Sequence, residues 1–158
     1  MPNTPYFPLF VDLSRRRVLV VGGGKIAARR VKALVQACLS IAVVAPAIHP
    51  DIAALAGEGR LTVQARAYRP EDLEEADLVL ACTDDGALNA AIAGACHDRG
   101  IPVNDASDRR NCDFLFPGIA RRGGIVAGVT AGGGDHRLAR RATEAVRACL
   151  EREFDTAD

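Results

Sequence analysis

The sequence predicts an α/β fold: a Rossmann-like parallel sheet with helices on both faces, followed by a short β-rich segment and a C-terminal helix. Three observations carry this expectation. The apolar run Val18-Leu19-Val20-Val21 passes into Gly22-Gly23-Gly24 and then straight into a helical pattern. Strand-like and helix-like segments alternate up to Asn104, the signature of a parallel sheet with crossover helices. Beyond Asn104 the alternation stops and two strand-like stretches precede one long helical pattern.

Each element follows from local pattern. The first strand, Arg17–Val21, has no polar alternation and reads as a central strand buried on both faces. Gly22, Gly24 and Ala27 fit G-x-G-x-x-A, a turn that lets a dinucleotide pyrophosphate approach the backbone. The first helical N–H groups, near Lys25 and Ile26, face such an anion with the helix dipole behind them. A glycine turn kept only for packing is the competing explanation. The first helix runs to about Ala37, and the second strand, Ile41–Val44, is halted by Ala45-Pro46. A helix over Asp51–Ala56 ends at Gly57 and Gly59, and the third strand is Leu61–Arg66. Arg69-Pro70-Glu71-Asp72 opens a short crossover to the fourth strand, Asp77–Cys82. Thr83-Asp84-Asp85 forms the next loop, Ala87–Asp98 a helix ended by Gly100, and Ile101–Asn104 the fifth strand. Cys112–Ile119 and Ile125–Thr130 read as two further strands joined at Arg121-Arg122-Gly123-Gly124, and a helix starts near His136. The expected division is a nucleotide-binding domain over residues 1–111 and a shortened dimerisation and substrate-covering segment over 112–158.

Composition narrows the function classes. A chain of 158 residues that is 49% hydrophobic supports one sizeable core. Zero formal net charge argues against a general nucleic-acid or anionic-membrane binder. No apolar run reaches the roughly 18–20 residues of a membrane span. The start, MPNTPYFPLFVDLS, lacks the pattern of a signal peptide. Five scattered cysteines without a C-x-x-C pair read as reduced thiols of a cytoplasmic protein, with no zinc site and no other metal centre.

Loops beyond the carboxyl ends of parallel strands share one edge of the sheet. Gly22–Lys25, Pro46-Ala47, Thr83–Asp85 and Asp105–Asp108 all hold such positions, which makes one candidate cleft. One feature departs from the usual dinucleotide site. An acidic residue that binds the adenosine ribose is expected at the end of the second strand. The chain instead reads VVAPAIHP there, and no obvious Arg pair selects a ribose phosphate.

Taken together, YFPLFVDLSRRRVLVVGGGKIAARRVKAL, VVAP, LVLACTDDGALNAAI and CDFLFPGIARRGGIVAGVTAGGG resemble the precorrin-2 dehydrogenase family of siroheme synthesis. The resemblance runs from Tyr6 to about Arg141. Its most specific parts are PLF-D-L before the glycine turn, T-D-D-x-x-x-N, and C-D-F-x-x-P. The resemblance implies oxidation of precorrin-2 to sirohydrochlorin with NAD as cofactor. It also implies cofactor contacts at Gly22, Gly23, Gly24, Lys25, Ile26, Pro46 and Ala47, and at Thr83, Asp84 and Asp85 toward the nicotinamide. From the residues alone, Thr83–Asp85 serves equally well as an exposed turn capping the following helix.

The catalytic position departs from the family. Members carry an Asp seven residues before the Phe of C-D-F, and counting back from Phe114 gives Ser107. Asp108 is the first candidate for the displaced carboxylate and Asp105 the second, with Asn104 matching a family Asn. Both carboxylates also read as loop residues bonding local backbone. Where the family has S-T-G-G-x-S-P-x-L-A-R, this chain has VTAGGGDHRLAR, and His136 is either a titratable group or a polar residue of the first helical turn. The family's longer C-terminal region is expected to be shortened here. Precorrin-2 bears many carboxylates, so Arg109, Arg137 and Arg140 are candidate partners, against the reading of a solvated basic face. The resemblance further implies a homodimer, and two strand-like stretches beyond the five-stranded sheet would otherwise leave an exposed edge. A sirohydrochlorin metal chelatase and a non-catalytic NAD-binding regulatory domain are the alternatives.

Overall fold

The computed structural model describes residues 6–132 and 134–154. Val11–Phe114 forms one compact unit, and the described parts of 1–10 and 115–158 form another.

The first unit holds β1 (Arg17–Val21), α1 (Lys25–Leu34), β2 (Ser40–Val44), α2 (Pro50–Gly57), β3 (Thr62–Gln64), β4 (Leu78–Ala81), α3 (Gly86–Arg99) and β5 (Val103–Asp105). The strands lie in the order β3-β2-β1-β4-β5, and every pairing is parallel. This is the Rossmann-like α/β fold the sequence predicts. The chain moves outward from β1 to β3 and then returns to place β4 on the other side of β1. The order therefore reverses between β1 and β4, the crevice where such sheets bind ligands.

Burial explains why these segments are strands. Val18, Leu19, Val20 and Val21 are all buried, as are Val43 and Val44 in β2 and Val79, Leu80 and Ala81 in β4. Leu19, Val21, Val44, Val79, Ala81 and Val103 pack with Ile92, Ala93 and Cys96 of α3 and with Leu73. Alternate residues such as Val18, Val20 and Val43 face the other way. Right-handed crossovers carry α1 and α2 to that side, where Ala27, Ala28, Val31 and Ile52 are buried. Between β3 and β4 a 3₁₀ turn, Pro70–Leu73, stands in place of a full helix. Arg66 clamps it by two bonds to Asp72, at 2.9 and 2.6 Å.

Element boundaries differ from expectation where backbone groups find other partners. The N–H groups of Ala37 and Cys38 both turn back to the Leu34 carbonyl, so α1 stops at Leu34. β5 lies further on than expected, which places Asp105 inside the strand opposite Ala81. Cys112–Ile119 is not one strand. Asp113 exchanges bonds with Val103, its N–H to the Val103 carbonyl and its carboxylate from the Val103 N–H, both at 2.9 Å. Asn104 Nδ2 donates to the Phe114 carbonyl at 2.7 Å. These polar contacts tie the segment alongside β5 before any hairpin begins.

The second unit contains the hairpin β6 (Gly118–Arg122) and β7 (Ile125–Val129), which pair antiparallel, and α4 (His136–Glu153). The hairpin turn is Gly123-Gly124, with Gly123 at φ 54°, the left-handed backbone that hairpin turns of the primed types require. α4 packs with Thr143 and Leu150 buried, and Arg147 and Arg122 bridge helix and hairpin through backbone carbonyls. No helix among the described residues is long and apolar enough to cross a membrane.

Candidate functional site

The three glycines after β1 do different things. Gly22 has φ 120°, and a Cβ there would stand 2.5 Å from the Cys82 carbonyl oxygen beyond β4. A Cβ at Gly23 would overlap the Ala47 carbonyl beyond β2. The turn is thus pressed between the ends of the two neighbouring strands, and bonds from Gly22 N–H to Val44 O (2.9 Å) and from His49 N–H to Gly23 O (2.8 Å) hold it there. Gly24 is unlike them. Its backbone is extended and a Cβ would meet no protein atom within 4 Å. It is also the N-cap of α1, where no side chain caps the helix and no acidic residue occupies the first turn. An open glycine at an uncapped helix start fits a pyrophosphate: the backbone can approach the anion, and the helix N–H groups and dipole attract it. Ala27, at the third motif position, is fully buried, as close helix–strand packing requires. Lys25, Ile26, Pro46 and Ala47 are all exposed around this turn.

On the other side of the switch point, Thr83–Asp85 is built into a hydrogen-bond chain. Asp85 caps α3 by accepting from the Ala87 and Leu88 N–H groups at 2.9 and 3.1 Å, while Asp84 is exposed. Thr83 Oγ1 donates to Asn89 Oδ1 at 2.6 Å, and Asn89 Nδ2 donates to the Thr83 carbonyl and to Ser107 Oγ. Asn89 is fully buried and joins the loops after β4 and β5. It is absent from the sequence-derived candidates, although its signal was there: the last residue of T-D-D-x-x-x-N falls one helical turn beyond the Asp85 cap, on the inner face of α3.

Asp105 is the hub of the next loop. It is buried, and its Oδ1 accepts from Ser107 N–H (2.8 Å), Ser107 Oγ (2.5 Å) and Asp108 N–H (3.2 Å), while Oδ2 accepts from Asn111 Nδ2 (2.8 Å). Burial pushes its pKa upward, but the bonds from Asn111, Ser107 and Asp108 outweigh burial and hold the carboxyl below its ordinary value. Asp108 is turned to Arg110, whose guanidinium donates to both carboxylate oxygens. Those bonds pull its pKa down to about 2. Asp105, Ser107 and Asp108 are therefore brought together, with both carboxylates ionised at neutral pH.

Asn104 is buried in the middle of β5, and its Oδ1 has no hydrogen-bond partner. Such an acceptor is available to a ligand donor or to water. Arg109 is exposed at the start of the 3₁₀ turn after β5. Arg137 and Arg140 are exposed on α4 of the other unit, with Arg140 paired to Glu144 at 2.9 Å. His136 is the first residue of α4, behind the Asp135 cap. A hollow of about 580 Å³ lies where Arg17, Ser40 and Thr62 begin their strands, and none of the candidate site residues lines it.

Residues 9–118 match the model of a family described as putative NAD(P)-binding. The chain belongs to this family. It is 41% identical over 145 residues to siroheme synthase 1 of Yersinia enterocolitica, covering 92% of this chain and 31% of that protein. It is 42% identical over 146 residues to a siroheme synthase of Pseudomonas entomophila, with the same coverage. The chain thus spans about a third of the length of these curated relatives. Among solved structures, it resembles SirC, a precorrin-2 dehydrogenase, with a TM-score of 0.77 and 29% identity, covering 96% of this chain and 72% of that one.

Proposed function

We propose that this protein oxidises precorrin-2 to sirohydrochlorin with NAD, as a homodimer in the cytoplasm. The observation that carries the proposal is Gly24: an open, uncapped helix start at the switch point of a Rossmann-like sheet. The likeness to a precorrin-2 dehydrogenase structure and to siroheme synthases supplies the substrate class. Five free cysteines suit a reducing compartment, and an isolated two-stranded hairpin suits completion by a second copy.

In this reading Gly22–Gly24, Lys25 and Ile26 hold the pyrophosphate, Pro46 and Ala47 border the adenosine, and Thr83–Asp85 border the nicotinamide. NAD supplies a hydride acceptor, and the substrate's accompanying proton leaves to water. The Asn89 chain fixes the loops after β4 and β5 relative to one another, which is the positioning that hydride transfer depends on. Asp105 and Asp108 stay anionic and accept hydrogen bonds rather than protons: the bonds from Asn111, Ser107 and Asp108 hold the Asp105 carboxyl below its ordinary value, and Arg110 pulls Asp108 down to about 2, so both are weak bases at neutral pH. Ser107 does not replace the carboxylate as a base, since a neutral hydroxyl is a weak base and its oxygen already accepts from Asn89 Nδ2 at 3.1 Å. Asn104 offers its unpartnered oxygen to the substrate, and Arg109, Arg137 and Arg140 are the proposed partners of its carboxylates.

Anaerobic incubation with precorrin-2 and NAD tests the proposal. Stoichiometric NADH and sirohydrochlorin are expected without added metal. Tight NAD binding without turnover would assign the chain to a non-catalytic binding role instead.

A further inference from the structure

We propose that Asn89 is a positioning residue that fixes the charge of Asp105 from a distance, by orienting the Ser107 hydroxyl that stands between them. The inference deepens the dehydrogenase reading and rests on it for its chemical purpose. Asn89 is fully buried, so no ligand touches it. It lies one turn into α3, where its N–H bonds to the Asp85 carbonyl at 3.0 Å. Its side chain bonds to the loops after both β4 and β5. The start of α3 also abuts the second loop, since a Cβ at Gly86 would stand 3.7 Å from Ser107 Oγ.

An amide side chain has two acceptor sites and two N–H donors, and Asn89 uses all four. Oδ1 accepts from the Thr83 N–H at 3.1 Å and from Thr83 Oγ1 at 2.6 Å. Nδ2 donates to the Thr83 carbonyl at 3.0 Å and to Ser107 Oγ at 3.1 Å. Turned over, the amide would set its N–H groups against the Thr83 N–H, so one orientation alone satisfies the loop. Ser107 Oγ therefore meets a donor on the α3 side. Its single proton goes the other way, to Asp105 Oδ1 at 2.5 Å. The bonds run in one sense from Thr83 to a carboxylate, and each polarises the next.

The remaining groups around Asp105 are fixed. Asn111 Nδ2 and the N–H groups of Ser107 and Asp108 donate from a folded loop. Asp108 is paired with Arg110 and lies beside Arg109. Burial pushes up the thiols of Cys112, on the same loop, and of Cys82, beyond β4, so both stay neutral. Arg30 of α1 is turned to Cys82, donating to its Sγ at 3.3 Å. Among these partners the Ser107 hydroxyl is the donor free to rotate, and Asn89 is what stops it. The purpose follows from the charge that oxidation creates. Loss of a hydride to NAD leaves one positive charge on the substrate ring system until a proton departs to water. An anion held beside the substrate loop stabilises that charge, and a protonated Asp105 does not.

Asn89→Asp tests the relay, because it is nearly isosteric and presents only acceptors to Ser107. The hydroxyl then has two carboxylates to serve with one proton, and Asp105 takes up a proton more readily. In the full chain, carboxyl NMR is expected to show the Asp105 titration raised by about one pH unit or more. The acidic limb of kcat/KM for precorrin-2 is expected to move up with it, while NAD affinity changes less than threefold. In a Ser107→Ala background the same change at position 89 is expected to move Asp105 less than half as far. An equal shift in both backgrounds would mean direct charge repulsion and overturn the inference. Should Asn89→Asp fail to fold, Ser107→Ala is expected to raise the Asp105 titration and Ser107→Thr to restore it. An unchanged titration in Ser107→Ala would overturn the inference while leaving the dehydrogenase reading intact. The expected titrations without any turnover of precorrin-2 would uphold the relay and sink that reading.

Discussion

Ser107 is bonded twice to one oxygen of Asp105, through its N–H at 2.8 Å and its hydroxyl at 2.5 Å. The position at which the family resemblance calls for a carboxylate therefore holds a group that supports a neighbouring one. Ser107→Ala removes the hydroxyl bond but leaves the backbone bond, so kcat/KM for precorrin-2 is expected to fall less than tenfold. Asp108→Ala also removes a charge and the anchor of Arg110, and is expected to fall further than Ser107→Ala. Asp105→Asn sets an amide against donors that need an acceptor, and should destabilise the fold by about 1–3 kcal/mol. Steady-state NADH formation and denaturant melts on the three variants check the order.

The same loop predicts weak metal insertion. Chelation requires proton removal from pyrrole nitrogens, and both carboxylates are held below their ordinary range while the Ser107 oxygen already accepts from Asn89. Dehydrogenation of precorrin-2 is expected to outpace insertion of iron or cobalt into sirohydrochlorin by at least tenfold. Comparable rates in an anaerobic spectroscopic assay would contradict this.

The glycine turn separates binding from folding. Gly22→Val forces a side chain into the Cys82 carbonyl at positive φ, so loss of the folded state is expected along with loss of binding. Gly24→Asp meets open space and caps α1, so stability should rise by a few tenths of a kcal/mol. Its charge faces the expected pyrophosphate, and NAD affinity should fall at least tenfold. Thermal melts and calorimetry on the same preparations read both effects.

Asp72 should contribute to acid sensitivity beside Asp105 and Asp108, whose carboxyls are also held below their ordinary values. The Arg66 guanidinium holds the Asp72 carboxyl below the ordinary value despite burial. A carboxylate with a lowered folded-state pKa contributes its full stability above the unfolded value of about 3.9, and loses it as pH falls through the folded value. Asp72→Asn should cost about 1–3 kcal/mol at neutral pH and flatten the stability profile below pH 4. An unchanged acid limb in urea melts of that variant would show that Asp72 has no share in it.

Thiol reactivity should follow burial. Cys149 is exposed and is expected to react first, while Cys38, Cys82 and Cys96 are buried. Burial pushes the Cys96 thiol up to about 11, which leaves almost no thiolate at neutral pH. Under denaturation all five should titrate without prior reduction, and any shortfall would reveal a disulfide.

Much of the frame was legible because apolar runs and glycines report on backbone environment. β1 was bounded to the residue, since four consecutive buried valines and leucines admit no other element before Gly22. β5 was misplaced because Asp105 reads as polar, and polarity signals a loop. Its bonds to Ser107 and Asn111 make that burial tolerable, and no local pattern records them. Cys112–Ile119 reads as a strand for the converse reason: its apolar residues suggest one extended run, whereas Asp113 is bonded to Val103 of β5 and Gly118-Ile119 opens β6.

The openness at Gly24 also bears on how such a protein drifts. Selection for thermal robustness alone has no reason to retain glycine there, since Gly24→Ser or Gly24→Asn would cap α1 and restrict the unfolded chain. Gly22 and Gly23 are locked by the backbone they touch and would persist in a lineage that had lost its ligand. Position 24 would then be the first of the three to change. Its residue is a marker by which working and decayed copies of this fold can be told apart before any assay is run.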